Sequence, residues 1–252
     1  MSSSIVWQGE MAPGVQFVQG PASNWVVLVG GGEVALVDAG YPADLPLVEE
    51  SIRRAGGRPE DLASILVTHG HSDHIGSIAA LVERYGPRVF GHPDELPNIT
   101  RTELHQIGVG DILPRVWRPR VARWTVHAIR AGGLGDVGVR TVQPLPDGLQ
   151  TVAGQRIEAV PIPGHTPGHT AYLLPDAGIL ITGDALVTAH PTTAGAGPQL
   201  LARMWHTDPD AALANLQSIA AIPARLILPG HGPLIEASPA FVVAEALRRT
   251  QR

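Results

Sequence analysis

The sequence contains the stretch Thr68-His69-Gly70-His71-Ser72-Asp73-His74, in which three histidines and one aspartate fall within six consecutive positions. An apolar run, Ser64–Val67, comes immediately before it and predicts a short buried strand. A helix is predicted to run from Ser72 to Tyr85, because apolar residues recur at helical spacing and Gly86 suits the position after its end. The potential ligands therefore lie where a strand gives way to a helix.

The spacing within this stretch favours two metal ions over one. His69 and His71 are two residues apart on an extended turn, so their side chains can point to the same side. Asp73 and His74 fall in the first helical turn and can face a second point nearby. Neutral imidazole and carboxylate are good ligands for zinc and comparable divalent ions. The structural alternative is a polar loop that caps a helix.

Three further segments place potential ligands next to glycine just after an apolar run. These segments are Pro163-Gly164-His165-Thr166-Pro167-Gly168-His169, Thr182-Gly183-Asp184 and Pro229-Gly230-His231-Gly232. The strands predicted before them are Arg156–Val160, Gly178–Thr182 and Arg225–Leu228. Sites in sheet-based folds gather at such strand ends.

The remaining pattern predicts two packed sheets with helices outside, a mixed α/β fold. Further predicted strands are Trp25–Val29, Glu33–Val37, Arg88–Phe90, Val139–Val142 and Ala171–Leu174. Further helices are predicted from Asp44 to Ala55 and after the proline-containing starts Asp208-Pro209 and Ser238-Pro239. We expect residues 1–252 to form one domain.

Residues from about 93 to 135 differ from this pattern and are interpreted as an insertion with some helix. They contain arginines interleaved with two tryptophans, among them Arg101, Arg115, Arg118, Arg120, Arg123, Trp117 and Trp124. Three interpretations stay open, namely a lid or substrate wall, an oligomer contact, and a solvated loop. Arginine and tryptophan can grip anionic or flat substrates, and both are common in interfaces.

Composition excludes several kinds of chemistry. The chain has no cysteine, and all 18 basic residues are arginine. Disulfides, iron–sulfur clusters, thiol nucleophiles and Schiff-base lysines are therefore excluded. The net charge of −5 gives no general attraction to nucleic acid, and no apolar run reaches the length of a membrane span. With no signal-peptide pattern at the N-terminus, we expect a cytoplasmic protein that acts on a small molecule. The sequence leaves open whether it is a homo-oligomer.

Taken together, these motifs resemble the metallo-β-lactamase-fold hydrolase superfamily, which includes glyoxalase II, lactonases, sulfatases, RNA-processing nucleases and true β-lactamases. The matching segments are Leu36-Val37-Asp38-Ala39-Gly40, His69 to His74, His165, Asp184 and His231, so the resemblance covers residues 36 to 231. It implies an αββα sandwich with the metals at one edge.

The resemblance also implies a role for each motif residue. His69, His71 and His165 resemble the three-histidine metal site, and Asp73, His74 and His231 resemble the second site. Asp184 resembles the carboxylate that bridges both metals. Asp38 resembles a residue that orients the ligand loop from behind. Asp73 and Asp184 are the expected catalytic carboxylates, with Asp73 able to orient the nucleophile or carry a proton.

The expected function is hydrolysis of a small ester, thioester or lactone, in which hydroxide shared by two divalent ions attacks the carbonyl. Zinc is the expected metal, and manganese and iron use the same ligand types. The main alternative is a mononuclear iron dioxygenase resembling the persulfide dioxygenases, with His71, His165 and Asp184 as the nearest equivalents of its ligands. A phosphodiesterase or RNA-processing nuclease is a further alternative, although the net charge opposes it.

Departures from family patterns narrow the choice. The bridging Asp184 and the absence of cysteine argue against a true β-lactamase. Glyoxalase II has a C-terminal helical domain whose basic residues hold glutathione, whereas 21 residues follow His231 here and the sequence has no lysine. We therefore do not expect a strict hydroxyacylglutathione hydrolase, although a relative that acts on another thioester stays open. The stretch Ala185–Thr188 lacks the tyrosine of known acyl-homoserine lactonases.

The other histidines are predicted to matter less. His169 is expected to support the ligands without binding metal, because seven ligands already fill two sites. His190 and His206 could contact substrate at the mouth of the site, and a solvated loop position is the competing interpretation for both. No role is predicted for His92, His105 or His127.

Overall fold

A computed structural model describes residues 6–250, and its strands form two mixed sheets. The larger sheet has seven strands in chain order: β1 (Val6–Ala12), β2 (Val15–Gln19), β3 (Asn24–Gly30), β4 (Glu33–Val37), β5 (Leu62–Leu66), β6 (Arg88–Gly91) and β7 (Val142–Pro144). Strands β1 to β4 pair antiparallel, and β4 to β7 pair parallel.

The smaller sheet contains the last five strands in the order β12-β11-β10-β9-β8. They are β8 (Leu149–Val152), β9 (Gln155–Pro161), β10 (Thr170–Leu174), β11 (Ile179–Gly183) and β12 (Leu226–Pro229). All neighbours are antiparallel except β11 and β12, which are parallel.

Eight α-helices connect and flank the strands within the described residues. They are α1 (Leu45–Arg54), α2 (Ser72–Ile75), α3 (Ile78–Tyr85), α4 (Leu96–Thr100), α5 (Val109–Ile112), α6 (Pro119–Arg130), α7 (Pro209–Ala220) and α8 (Pro239–Thr250). Helix α7 begins as its sequence predicts, because the Asp208 carboxylate accepts from the backbone N–H groups of Asp210 and Ala211.

Three apolar clusters stack these elements into four layers. Alternate residues of β3 face opposite sides, so Val26 and Leu28 pack between the two sheets while Trp25 and Val27 pack towards α1 and α3. On the far side, the smaller sheet packs against α7 and α8 through residues such as Leu216. The predicted mixed α/β fold with helices outside two packed sheets is therefore confirmed.

The predicted helix Ser72–Tyr85 is wrong as a single element, since the structure divides it into α2 and α3. The backbone N–H of Gly76 donates to the Gly40 carbonyl at 2.8 Å, and the Ser77 hydroxyl donates to the Tyr41 carbonyl. A Cβ on Gly76 would lie 2.4 Å from Pro42, so only glycine permits this approach. Between α2 and α3, carbonyls of the loop after β4 thus accept hydrogen bonds from Gly76 and Ser77.

The strand predicted at Val139–Val142 is also displaced, because Val137 and Val139 are buried outside any strand and β7 begins only at Val142. Three strands, β1, β2 and β8, had no prediction of their own. Among residues 6–250, no helix has the length and apolar character needed to cross a bilayer.

Candidate metal centre

The predicted ligands converge because five strand ends meet at one edge of the sandwich. Asp38 follows β4, His69 follows β5, Asp184 follows β11, and His231 follows β12. His165 lies in the loop from β9 to β10. The two sheets are joined at this edge by backbone hydrogen bonds, for example from Thr170 N–H to the Thr68 carbonyl at 2.9 Å.

Hydrogen bonds behind His69 fix which ring nitrogen faces the centre. His69 Nδ1 lies 3.0 Å from the Thr68 hydroxyl, and that hydroxyl lies 2.6 Å from Asp38 Oδ2. A carboxylate only accepts, so the hydroxyl donates to Asp38 and accepts from His69 Nδ1–H. The lone pair of His69 is therefore on Nε2, a buried atom with no hydrogen-bond partner among the described residues.

The lone pairs of His71 and His165 face each other directly. His71 Nε2 donates to the His105 carbonyl at 2.8 Å, which leaves the lone pair on Nδ1. His206 Nε2 donates to the Leu201 carbonyl at 3.1 Å, so His206 Nδ1 accepts from His165 Nδ1–H at 3.4 Å. His165 Nε2 and His71 Nδ1 are then two lone pairs only 3.0 Å apart. Such an approach is repulsive unless a positive charge lies between them.

The second group of ligands is oriented in the same way. His74 Nδ1 donates to Asp38 Oδ2 at 2.8 Å, and His231 Nδ1 donates to the Ala22 carbonyl at 2.7 Å. Both histidines consequently turn Nε2 towards the first group. Asp73, which is only partly buried, holds Oδ2 3.4 Å from His231 Nε2.

Asp184 lies between the two groups and reaches both of them. Its Oδ1 is 3.5 Å from His74 Nε2, and its Oδ2 is 3.2 Å from His231 Nε2 and 3.6 Å from His165 Nε2. A Cβ on Gly230 would stand 2.3 Å from Asp184 Oδ1 and would displace the carboxylate. The glycine that accompanies the ligand in the sequence therefore has a steric reason.

The seven predicted ligands form two clusters whose ligand atoms lie within 4.8 Å of one another: His69, His71, His165 and Asp184; and Asp73, His74 and His231. Three of their centre-facing atoms, His69 Nε2, His74 Nε2 and Asp184 Oδ1, are buried without a hydrogen-bond partner among residues 6–250. Leaving such atoms unpaired costs about 1–3 kcal/mol each. The convergent lone pairs and carboxylates fit divalent metal ions, and bound ions would satisfy these three atoms.

Charge in the metal-free centre is balanced by protons on the second group. Burial alone would lower the pKa of His74, but Asp184, Asp73 and Asp38 outweigh it and raise the pKa to about 10. Burial opposes the rise at His231 as well, where Asp184 is the main carboxylate that raises the pKa. Burial lowers the pKa of His69 well below its usual range. The histidines of the first group are thus neutral and ready to bind a cation, whereas His74 and His231 must first lose protons.

A carboxylate that the sequence did not single out supports the ligand loops. Glu95 is fully buried, and its Oε1 accepts from Gly70 N–H at 2.8 Å and from Asn98 Nδ2 at 2.7 Å. Its Oε2 accepts from Gly168 N–H at 2.8 Å. Gly70 lies between His69 and His71, while Gly168 lies in the loop that carries His165, so one side chain ties both loops together.

Neighbours of Glu95 extend this support to the whole His69–His74 loop. Arg101 Nη1 donates to the Gly70 carbonyl, and Gln106 Oε1 accepts from the backbone N–H and hydroxyl of Ser72. His105, for which no role was predicted, contributes its carbonyl to His71. Residues 95–106, the first part of the predicted insertion, therefore form a platform behind the ligands.

His169 contacts Asp184 through the backbone. Its Nε2 accepts from the Asp184 N–H at 3.0 Å, and burial lowers the pKa of His169 to about 3, which keeps this nitrogen unprotonated. A Cβ on Gly183 would lie 2.7 Å from the same nitrogen. His169 thus sits behind the ligands, outside both clusters of ligand atoms.

A cavity of about 290 Å³ opens onto the metal centre and includes Asp73, Asp184 and His190 in its lining. His190 Nδ1 lies 2.7 Å from the Thr192 hydroxyl and accepts from Thr192 N–H, so in the neutral ring the proton is on Nε2. Burial lowers the pKa of His190 to about 3. The ring packs 5.2 Å from Trp205, so His190 is a wall of the cavity and not a solvated loop residue.

His206 has a different place from His190. It is buried behind His165, to which it is hydrogen bonded, and does not contribute to the lining of this cavity. Tyr41, which carried no prediction, does line the cavity, and burial raises the pKa of its phenol well above the usual range. No sequence signal marked Tyr41, because its position in the turn after β4 predicts only a loop.

The fold and this centre together define an αββα protein in which loops at one edge bring together histidines and aspartates that could hold divalent metal ions. The family model of the metallo-beta-lactamase superfamily matches residues 18–231, and the chain belongs to that superfamily.

Two relatives of the chain are named as hydrolases. The chain is 26% identical to the probable metallo-hydrolase YflN of Bacillus subtilis over 206 residues, which cover 78% of this chain and 74% of that protein. It is 30% identical to a hydroxyacylglutathione hydrolase of Acidiphilium cryptum over 212 residues, 83% of this chain and 65% of that enzyme. The chain thus spans just under two thirds of that enzyme's length. These similarities place it among metal-dependent hydrolases.

Solved structures agree on the fold. A metallo-beta-lactamase family protein of Thermus thermophilus superposes with a TM-score of 0.69 at 26% identity, covering 96% of this chain and 81% of that one. A metallo-beta-lactamase of Cronobacter sakazakii with a HARLDQ motif gives a TM-score of 0.70 at 20% identity, covering 98% and 96%.

Proposed function

We propose that this chain hydrolyses a carboxylic ester, thioester or lactone with two divalent metal ions, zinc being the first candidate. The observation that carries the proposal is the orientation of five histidine rings. Each ring directs a lone pair to the centre because a partner behind it engages the other nitrogen.

His69, His71 and His165 would hold one ion, and Asp73, His74 and His231 the other. Asp184, which lies within 3.6 Å of histidines from both groups, would bridge them. Two such ions supply Lewis acidity and lower the pKa of bound water.

The chain's own residues would position the reactants. Asp73 is the ligand best placed for proton movement, because it is partly exposed, lines the cavity and lies 3.4 Å from His231. Asp38 holds both Thr68 and His74, and so keeps ligands of the two groups in register. The buried walls of Tyr41 and His190 exclude water around the reacting carbonyl.

The superfamily membership and the hydroxyacylglutathione hydrolase name of one relative support hydrolysis of an acyl bond. The histidine and aspartate ligands of the two clusters support the binding of divalent metal ions. The predicted iron dioxygenase would need one iron per chain, and no contact in this centre favours that arrangement over two ions.

The first experiment is elemental analysis of the purified protein, combined with ester, thioester and lactone hydrolysis. We expect about two zinc, manganese or iron ions per chain and activity that a chelator removes. Asp184→Ala and His71→Ala should lose bound metal and turnover, whereas His92→Ala, outside both clusters, should keep both. One iron per chain with oxygen consumption on a persulfide, or full activity in Asp184→Ala, would contradict the proposal.

A further inference from the structure

The cavity beside the metal centre is built mainly from one continuous segment, residues 106–134. Its apolar lining from this segment includes Ile107, Ile112, Leu113, Trp124, Ile129 and Leu134. The segment folds back over the centre as α5, a short turn and α6. An apolar wall thus begins within a side chain's length of Asp73 and Asp184, which line the same cavity.

The charged residues of this segment all point elsewhere. Arg118, Arg120, Arg123 and Arg130 are exposed, and Arg115 donates to the Asp111 carbonyl. Apart from the metal-centre residues and His190, the described residues that line the cavity include no aspartate, glutamate, arginine or histidine. The arginine-rich sequence left a grip on anionic substrates open, and among residues 6–250 no arginine lines the cavity.

The apolar surface continues outwards from the cavity. Leu113, Ile129 and Leu134 line it and still expose 65%, 52% and 65% of their surface. Contiguous exposed apolar side chains at the mouth of a site are typical of a ligand-binding surface. An apolar substrate group that extended outwards from the metal centre would cover these three side chains.

From these observations we propose that the substrate carries an uncharged apolar acyl chain, which lies along Ile112, Leu113, Ile129 and Leu134 while its carbonyl lies at the metal centre. The inference rests on the proposed hydrolase function and adds the substrate class. A glutathione thioester, whose peptide carries carboxylates, would meet no arginine side chain along the apolar wall of this cavity. The protein therefore selects its substrates by their acyl group, because an apolar acyl group buries apolar surface in the cavity.

Chain-length dependence tests the proposal on the metal-loaded protein. The probes are 4-nitrophenyl acetate, butyrate and octanoate, with 4-nitrophenyl hemisuccinate as the charged-tail control. Each buried methylene contributes up to about fourfold in kcat/KM, so we expect octanoate to exceed butyrate by at least about tenfold. Hemisuccinate should be slower than butyrate. A flat chain-length profile, or preference for hemisuccinate, would overturn the proposal.

Two matched pairs of variants separate the cavity from the general surface. Leu113→Glu lies in the lining, whereas Leu104→Glu changes an equally exposed leucine outside it. On α6, Ile129→Glu and Val126→Glu form the second pair. The lining variants should lose about tenfold in kcat/KM for octanoate and change little for acetate. Both outer variants should match the wild type with every ester.

A binding measurement keeps this inference separate from the hydrolase proposal. Because Trp124 and Trp205 line the cavity, octan-1-ol should change tryptophan fluorescence and bind more tightly than butan-1-ol. Leu113→Glu should weaken octan-1-ol binding, and Leu104→Glu should not. If no ester is hydrolysed but octan-1-ol binds in this way, the hydrolase proposal fails and the apolar cavity stands. If acetate is hydrolysed but octan-1-ol does not bind, or Leu113→Glu only dissociates a dimer, the acyl-chain proposal fails.

Discussion

Glu95→Gln provides the sharpest test of how the metal loops are supported. The substitution keeps the size of the side chain but turns one carboxylate oxygen into an NH₂ group. Whichever way the amide lies, that group faces a backbone N–H, either that of Gly168 or that of Gly70. The least costly orientation keeps the oxygen on Gly70 and Asn98 and leaves the buried Gly168 N–H unpaired.

The size of the effect follows from these three hydrogen bonds. An unpaired buried N–H costs about 1–3 kcal/mol, and the two remaining bonds each weaken by about 1 kcal/mol when a charged acceptor becomes neutral. Removing a buried carboxylate offsets part of this loss, because its desolvation is no longer needed. A net destabilisation of about 3 kcal/mol is expected, which corresponds to a Tm decrease of roughly 6–12 °C for a chain of this length.

Thermal unfolding with and without metal measures this effect, and chelator competition measures metal affinity. The loops that carry His71 and His165 are no longer held together in the variant, so affinity should fall by about 10–100-fold. Glu103→Gln is the matched control, because Glu103 belongs to the same segment but is exposed. A Tm within about 1 °C of the wild type, together with unchanged metal affinity, would refute the clamp role of Glu95.

Three further predictions concern protons and ring orientation. Metal binding should release at least one proton near pH 8, because His74, with a pKa of about 10, must lose its proton to become a ligand. Calorimetry of metal binding in buffers of different ionisation enthalpy counts the released protons. A binding enthalpy that does not depend on the buffer would contradict this prediction. Burial raises the pKa of Asp44 to about 6, so the folded state binds more protons than the unfolded state between the ordinary and the raised value, and stability is lost as pH rises through that window. Asp44→Asn should therefore raise the free energy of unfolding by about 1–3 kcal/mol at pH 8 and by little near pH 4, and equal gains at both pH values in denaturant titrations would count against this. His206→Phe should lower metal affinity about 10–100-fold in chelator competition, because His165 Nδ1–H loses its acceptor. His206→Asn should restore much of this affinity. Equal affinity in both variants would show that the hydrogen bond from His165 does not contribute to metal binding.

The ligands could be predicted from the sequence because each ligand motif follows shortly after an apolar run. The end of a strand fixes where the side chains that follow it lie. The positions of the His69–His74 stretch, Asp184 and His231 can therefore be predicted from the neighbouring sequence. Glu95 could not be found in this way. Its contacts are with Gly70 and Gly168, which are 25 and 73 positions away, and nothing in the surrounding turn distinguishes it from a solvated glutamate.

The interpretation of the insertion shows a second limit. Arginine and tryptophan counts over residues 93–135 leave a substrate wall, an oligomer contact and a solvated loop open, because they do not show which side chains of α6 face the cavity. Trp124 and Ala128, four positions apart, line the cavity, while Arg120 and Arg123 are exposed. Composition alone cannot separate the two faces of a helix whose direction is set by packing on a distant loop.

The segment after β6 therefore has two parts with different duties. Residues 95–106 hold the metal loop through hydrogen bonds of Glu95, Arg101 and Gln106, whereas residues 107–134 form the apolar wall. The first part contacts backbone atoms of the ligand loop, so its side chains cannot change without moving the ligands. Among the described residues, no side chain of the second part is hydrogen bonded to a ligand loop, so its size and polarity can change. Replacing residues 107–134 alone should thus alter which acyl group is accepted and leave metal content intact, because the hydrogen bonds that orient the ligand histidines do not come from that stretch.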